Sequence, residues 1–328
     1  MRNAAAPSIR LGTCVLLMLI AAGVAGSSAR DDGQAGGEKF FGQVRPGLEP
    51  VKFLPEILTA EKHPHGALTF SPDGRSVFWS AMLQDGPDQT IYHSSFNGQT
   101  LSRPEVAPFA AASGNGGPAF SIDGQRVFFN VILPPTGGSP NQTSAIYRVD
   151  RSGSGWGKPT PIDSTVDTLM TKGQVSVARN GNLYFSGRVL TERTPGIYMS
   201  KYSGGIYQAP EKLGGPLASS APLIDPWVDP EEKYMLVSCP PDTGPPMPPD
   251  IGISHRLADG RWTMPVPLGG AINTSAFERF PSLSRDGKYL FFVRSYGQQF
   301  VSEQAHFYWV DARSIGKFTP TGATIERR

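Results

Sequence analysis

The chain has 328 residues, with Gly 38 and Pro 31 together making up about a fifth of it, charged residues at 18% and aromatics at 10%. That composition fits a turn-dense all-β protein and not a helical one, because long apolar runs of 3.6-residue period are few. The formal net charge is +2, too small a basic excess to mark a surface for nucleic acid or anionic membrane.

The N-terminus carries its own signal. Arg2 and Arg10 precede the apolar run from Leu11 to Ala25, and the small residues Gly26, Ser27, Ser28 and Ala29 follow it. A basic start, a short apolar core and a small-residue cleavage site describe a secretory signal peptide, expected over residues 1–29 with cleavage after Ala29 or, alternatively, Gly26. The run is short for a membrane span, which needs about 20 residues. Cleavage would leave 28 basic against 28 acidic residues and a single cysteine, Cys239. No transmembrane span and no intramolecular disulfide are then expected, and the protein is expected to be periplasmic or secreted. Residues 30–48, polar and Gly-rich, are expected to be a flexible leader.

From residue 49 to 328 the chain repeats. An Asp-Gly type turn preceded by an apolar residue recurs at Phe70–Gly74, Phe120–Gly124, Val177–Gly181, Val228–Glu232 and Leu283–Gly287, with intervals of 50, 57, 51 and 55 residues. Gly accepts positive φ and Asp hydrogen-bonds the local backbone, so each reads as a hairpin turn. Each leads into a buried-type strand, Val77–Trp79, Val127–Phe129, Leu183–Phe185, Tyr234–Leu236 and Tyr289–Phe291. A third strand is marked by Ile91-Tyr92, Ile146-Tyr147, Ile197-Tyr198, Ile251-Gly252 and Phe307-Tyr308. A proline follows at Pro104, Pro159, Pro210 and Pro265, and Trp156, Tyr207 and Trp262 stand three residues before the last three. Four strands per unit of about 50 residues specify a β-propeller with five blades. The fifth unit lacks an outer strand. The N-terminal segment Val51–Leu58, with Pro55 in the proline slot, is expected to fill it, and Lys317–Thr324 is the alternative.

These motifs resemble the WD-repeat-like propellers of the TolB type, whose repeat carries an S-P-D-G turn, an L-Y-F strand and an I-Y strand. The extension from Trp262 to Asn273 is similar to a subgroup found in bacterial envelope proteins. The resemblance spans about residues 49–315 and implies the propeller fold, a docking role and a place in an envelope complex. Unit four departs from the pattern, with Asp229 in the Ser position and Glu232 in the Gly position.

In a propeller the first strand of each blade lines the central channel, so residues entering that strand ring one mouth. Counting back from the turns places His65, Asn115, Lys172 and Glu278 there, with Asp225 and Arg279 alongside. These are the candidate ligand-binding residues. His63, His65, Asp225 and Glu278 carry groups that can ligate a metal, but their spacing fixes no tetrahedral site, and no metal or cofactor is expected. The chain has no Gly-x-Ser-x-Gly elbow, Walker motif or dinucleotide fingerprint. The turn aspartates recur in nearly every unit, as a structural role requires and a single catalytic constellation does not. The loop from Pro240 to Asp250 holds six prolines, a stiff segment suited to a decorated hairpin loop or a partner-binding arm. The expected function is a non-enzymatic platform for a protein or small ligand. The alternative is a glycosidase-like hydrolase at the channel mouth, using Asp225 with Glu278.

Overall fold

The Ser-x-Asp-Gly turns carry a hydrogen-bond set that explains their recurrence. Ser71 Oγ donates to Asp73 Oδ1 at 2.5 Å, Asp73 Oδ1 accepts from the Arg75 N–H, and the Ser76 N–H donates back to Ser71 Oγ. Ser121 with Asp123 and Ser284 with Asp286 repeat it. The two side chains thus satisfy the backbone groups that a tight turn exposes. Gly74, Gly124 and Gly287 each adopt positive φ, between 65° and 70°.

These turns head the blades of a five-bladed β-propeller in a computed structural model. The structure describes residues 38–58, 62–83, 89–111, 114–134, 143–162, 171–189, 192, 194–218, 221–241, 249–296 and 305–318. Residues from Glu38 onward form one unit. Blade one runs from the channel outward as Lys62–Pro64 with Thr69–Phe70, then Ser76–Leu83, Gln89–Ser95 and Glu105–Val106. Blade two is Asn115–Phe120, Arg126–Leu133, Thr143–Ser152 and Thr160–Pro161. Blade three is Thr171–Val177, Leu183–Arg188, Gly196–Ser200 and Glu211–Lys212. Blade four is Ile224–Val228, Tyr234–Cys239, Asp250–His255 and Val266–Pro267. Blade five is Phe277–Leu283, Tyr289–Ser295, Ala305–Asp311 and, from the other end of the chain, Val51–Lys52.

The N-terminal strand therefore closes blade five, pairing Val51 with Trp309 and Lys52 with Tyr308. One backbone bond marks the outer strand in all five blades: Ala107, Ile162, Leu213, Leu268 and Phe53 donate to Ile91, Ile146, Ile197, Ile251 and Phe307. Two finer expectations are corrected. The proline in register is Pro50, directly before Val51, as Pro104, Pro159, Pro210 and Pro265 directly precede their strands. Pro55 instead opens the short helix Pro55–Leu58, where a missing N–H costs nothing. Of the rival segment, Lys317 and Phe318 lie in a 3-10 helix spanning Ala312–Phe318, and residues 319–324 fall outside the described residues.

The leader also differs from expectation. Its described part forms a hairpin, Lys39–Phe40 with Gln43–Val44, which tucks Phe41 into the core. The pattern of alternating apolar residues is too short there to announce a strand, and burial of two adjacent rings supplies the stability. Phe40, Phe53, Phe70, Tyr289 and Trp309 surround Phe291 or one another with centroid separations of 5.0–6.3 Å. Each fully buried ring contributes about 1.5–3 kcal/mol. Residues 1–29 and the centre of the proline-rich loop, 242–248, lie outside the described residues. No helix among the described residues is long and apolar enough to cross a membrane.

The departure in unit four has a structural reason. Glu232 takes the glycine position with φ 55° and turns its carboxylate inward. There it accepts from Asn182 Nδ2 and Tyr184 Oη, both at 2.9 Å, and from Arg256 Nη1 at 2.5 Å, joining blades three and four. Burial pushes the carboxyl up, but hydrogen bonds from Asn182, Tyr184, Asn180 and Arg256 outweigh it and hold Glu232 below the usual carboxylate range. A depressed folded-state pKa adds stability that is present above the unfolded value and lost as pH falls through the folded one. Denaturant melts of wild type and Glu232→Gln should therefore differ most at neutral pH and converge as the pH is lowered through the acidic range. A gap independent of pH would remove the charge from the account.

Closure gives the second expectation. Deleting residues 38–58 removes the buried Phe41, Phe53 and Leu58 and frees the edge of Ala305–Asp311. Domain stabilities are only about 5–15 kcal/mol, so the loss of three core side chains and one strand should leave no cooperative thermal transition and an aggregating chain. Circular dichroism and sedimentation velocity read both outcomes.

Candidate functional site

The first strands do not run straight. In blades two to five, four residues of the first strand oppose three of the second: Gly116 to Ala119, Lys172 to Val175, Ile224 to Trp227, and Arg279 to Ser282. Each is a one-residue bulge at the same height. In blade one, Pro64 to Thr69 faces Ala81 to Phe78, a wider break of the same kind. The bulges put Gly117, Asp225 and Phe280 in left-handed backbone, φ 60°, 55° and 56°, each directly before a proline. Positive φ at Asp and Phe is strain that the surrounding packing must hold.

In blades two and four the bulge N–H group is held by a serine of the preceding blade. Gly117 N–H donates to Ser80 Oγ at 3.1 Å, and Asp225 N–H to Ser186 Oγ at 2.8 Å. The Ala67 N–H donates to Gln174 Oε1 at 3.1 Å, across 107 residues of sequence. Blades one and two, three and four, and one and three are thereby tied together at the channel wall.

Above the bulges lies a cavity of about 280 Å³, lined by His65, Gln89, Asn130, Gln174, Asp225, Arg279 and Phe280 among others. Its centre is an ion pair. Arg279 donates from Nε to Asp225 Oδ2 at 2.7 Å and from Nη2 to Oδ1 at 3.0 Å, and Ser238 Oγ donates to Asp225 Oδ2 at 2.8 Å. Asp225 is buried and the Arg279 guanidinium lies 4.4 Å from the Phe280 ring centroid. A two-pronged, charge-assisted contact of this geometry fixes both side chains. His65 Nδ1 lies 2.6 Å from Gln89 Oε1, and its ring meets Phe280 edge-on at 5.3 Å. Burial, then the Arg279 charge, lower the His65 pKa, so its imidazole is neutral at pH 7. The cavity thus offers amides, one imidazole and a mutually neutralised ion pair.

Of the six residues expected at the mouth, three are there: His65, Asp225 and Arg279. Asn115 is not. It is buried, its Oδ1 accepts from the Ile91 N–H at 3.2 Å and its Nδ2 donates to the Ala111 carbonyl at 2.9 Å, imitating a strand between blades one and two. Asn273 does the same for Ile251 between blades four and five. Glu278 is fully buried below the mouth. It accepts from Arg294 Nε and Thr274 Oγ1, both at 2.7 Å, while Arg294 Nη2 reaches the Ile272 carbonyl. Burial raises the Glu278 pKa despite these partners. Lys172 sits in the Thr171–Val177 strand, opposite Gly187, and its side chain is outside the described part. No group of three or more His, Cys, Asp or Glu residues is placed to hold a metal among the described residues.

The physical reason for these corrections is the bulge. Counting back from the turn assumes strict alternation, and one inserted residue switches which side chains face the channel. The dipeptides Gly117-Pro118, Asp225-Pro226 and Phe280-Pro281 carry the signal, since proline inside a strand marks an edge or a bulge. Gln89, Asn130 and Gln174 come from three different strands and have no common sequence mark.

No family model and no curated protein sequence matches this chain. Among solved structures it is similar to TolB from Acinetobacter baumannii, with 17% identity and a TM-score of 0.47 over 76% of this chain and 57% of that one. The chain therefore spans little more than half the length of that structure. A thermostable family-43 glycoside hydrolase gives 12% identity and a TM-score of 0.51, covering 74% of this chain and 87% of the other. An α-L-arabinofuranosidase from Lactobacillus brevis gives 13% and 0.50, covering 77% and 91%. At these identities the likeness is one of fold.

The structural assignment of Asn115 is testable. Asn115→Ala leaves the Ile91 N–H and the Ala111 carbonyl without this partner and should cost about 1–3 kcal/mol in denaturant unfolding. A variant as stable as wild type would return Asn115 to the list of ligand contacts.

Proposed function

We propose that this chain is an extracytoplasmic β-propeller that holds a polar ligand, or a polar side chain of a protein partner, at the mouth around Asp225 and Arg279, and does not turn it over. The observation that carries this reading is the convergence of Gln89, Asn130 and Gln174 on a buried, mutually satisfied Asp225–Arg279 pair in one cavity. Amides held at fixed positions recognise hydroxyls and amides by donating and accepting at once. Strained backbone at Asp225 and Phe280 holds the cavity preformed, which lowers the ordering cost of binding. The extracytoplasmic address rests on the basic, apolar and small-residue succession over residues 1–29, and a partner in the cell envelope on the resemblance of the repeat.

The hydrolase reading finds less support. Two-carboxylate glycoside hydrolysis needs a pair of acids about 5–9.5 Å apart on either side of one bond. Among the described residues lining the mouth, Asp225 is the one carboxylate, and it is neutralised by Arg279. Glu278, its expected partner, is enclosed with Arg294.

A glycan array and a panel of short polar peptides, screened by biolayer interferometry, test the reading. The best wild-type binder should lose at least about tenfold in affinity in Arg279→Gln, since a charge-assisted hydrogen bond is worth about 1.5–3 kcal/mol. Aryl glycosides and aryl esters should not be turned over. Turnover by wild type that vanishes in Asp225→Asn would move the function to the enzymatic alternative.

A further inference from the structure

The channel has a second open end, on the side of the Ser-x-Asp-Gly turns, and it is chemically unlike the first. It widens there into a cavity of about 580 Å³, within the range of small-molecule sites. Its wall mixes polar and apolar groups, with Val177, Trp227 and Leu283 among the apolar contributors. Its rim carries two cations, Arg179 and Arg285.

Arg285 stands out. It projects from the turn of blade five past blade one and donates from Nη2 to the Ile122 carbonyl of blade two, so it lies across the channel end. It has no carboxylate partner among the described residues, whereas Arg179 is paired with Glu231. The two acids on the same rim are already engaged: Asp229 accepts from the Glu231 and Lys233 N–H groups, and Asp286 from Ser284 Oγ and Lys288. The residue is exposed by area, yet burial of its head group, then repulsion from Arg179, lower its pKa, with Asp123 opposing. A cation held beside another cation over a cavity is a place where an anion is welcome.

Deeper in the same cavity lies an independent sign. Thr69, Ser176 and Ser282 occupy equivalent positions on their first strands, opposite Phe78, Tyr184 and Phe291. Thr69 Oγ1 accepts from the Phe120 N–H and Ser176 Oγ from the Val228 N–H, each tying its blade to the next. Ser282 makes no such tie. It lines the cavity, is 3% exposed, and its hydroxyl has no hydrogen-bond partner among the described residues. A buried hydroxyl left open in this way calls for a partner.

We propose that the turn-side end of the channel binds a small organic anion, its carboxylate held by Arg285 and its apolar body inserted along Val177, Trp227 and Leu283 toward the Ser282 hydroxyl. This site is separate from the mouth around Asp225 and Arg279, and its occupation does not depend on that mouth having a ligand.

The probes are 4-hydroxybenzoate and its neutral amide, 4-hydroxybenzamide, whose 4-hydroxyl can meet Ser282, titrated into the full chain and followed by calorimetry and protein-detected NMR. Wild type should bind the carboxylate saturably and at least tenfold more tightly than the amide. Arg285→Gln should erase that preference, Arg285→Lys should retain most of it, and Ser282→Ala should weaken both probes several-fold. Arg279→Gln should change neither, which separates failure here from failure of the mouth. A thermal melt of each variant confirms that it is folded, and the charge-retaining Arg285→Lys decides the matter if Arg285→Gln is not. Absence of saturable carboxylate binding by wild type overturns the proposal, as does a preference that survives Arg285→Gln or disappears in Arg279→Gln.

Discussion

The ring depends on two residues finding a strand more than 250 positions away. Val51 and Lys52 pair with Trp309 and Tyr308, and the Phe53 N–H donates to the Phe307 carbonyl at 2.8 Å. Without that contact the blade would present Ala305–Asp311 as an open edge with unpaired donors and acceptors. With it, the last blade is built from both ends of the propeller, and neither end can peel away without breaking the sheet. The same contact brings Phe53 beside Phe291 and Trp309, at 5.0 Å each, so closure by hydrogen bonds is also closure of the largest aromatic cluster. The hairpin from Lys39 to Val44 adds Phe40 and Phe41 to it.

Neighbouring blades share apolar clusters between their sheets, and at the channel wall single hydrogen bonds add side-chain-to-backbone ties between blades. Ser80, Ser186, Thr69 and Ser176 each reach the next blade, and Gln174 of blade three reaches blade one. Such bonds are individually worth about 1 kcal/mol, and those of Ser80 and Ser186 also satisfy a backbone group that a bulge has withdrawn from its own ladder. Bulge and serine are two parts of one device. The bulge supplies the curvature and the polar lining, and the serine removes its cost. Where the second-strand position carries Ser238, the hydroxyl turns to Asp225 instead and becomes part of the mouth.

The two channel ends are therefore different by construction. One is ringed by bulges, which present amides and the Asp225–Arg279 pair in strained, fixed backbone. The other is ringed by hairpin turns, whose carboxylates are committed to their own backbone and whose arginines reach over the opening. A propeller of repeated blades would be uniform if its repeats were. Here the departures, Glu232 in a glycine position and Arg285 in a turn, carry the individuality of the protein.

The sequence by itself determined the architecture. Turn, strand and proline recur in a fixed register, and each is local chemistry: Asp and Gly bend the chain, β-branched and aromatic residues extend it, and proline precedes an outer strand whose position is then fixed. Even the closing strand was legible at Val51, although Pro50, and not Pro55, holds the register. Tertiary structure alone decided which side chains share the mouth. Asn115 and Glu278 have the right residue type at a regular spacing, yet Asn115 is buried against Ile91 of the preceding blade and Glu278 against Arg294 of its own. Gln89, Asn130 and Gln174 meet only because three strands from three blades converge. Period-two alternation predicts facing only while a strand is unbroken, and a bulge, stabilised in blades two and four by a serine of the preceding blade, is a long-range event that no local pattern encodes.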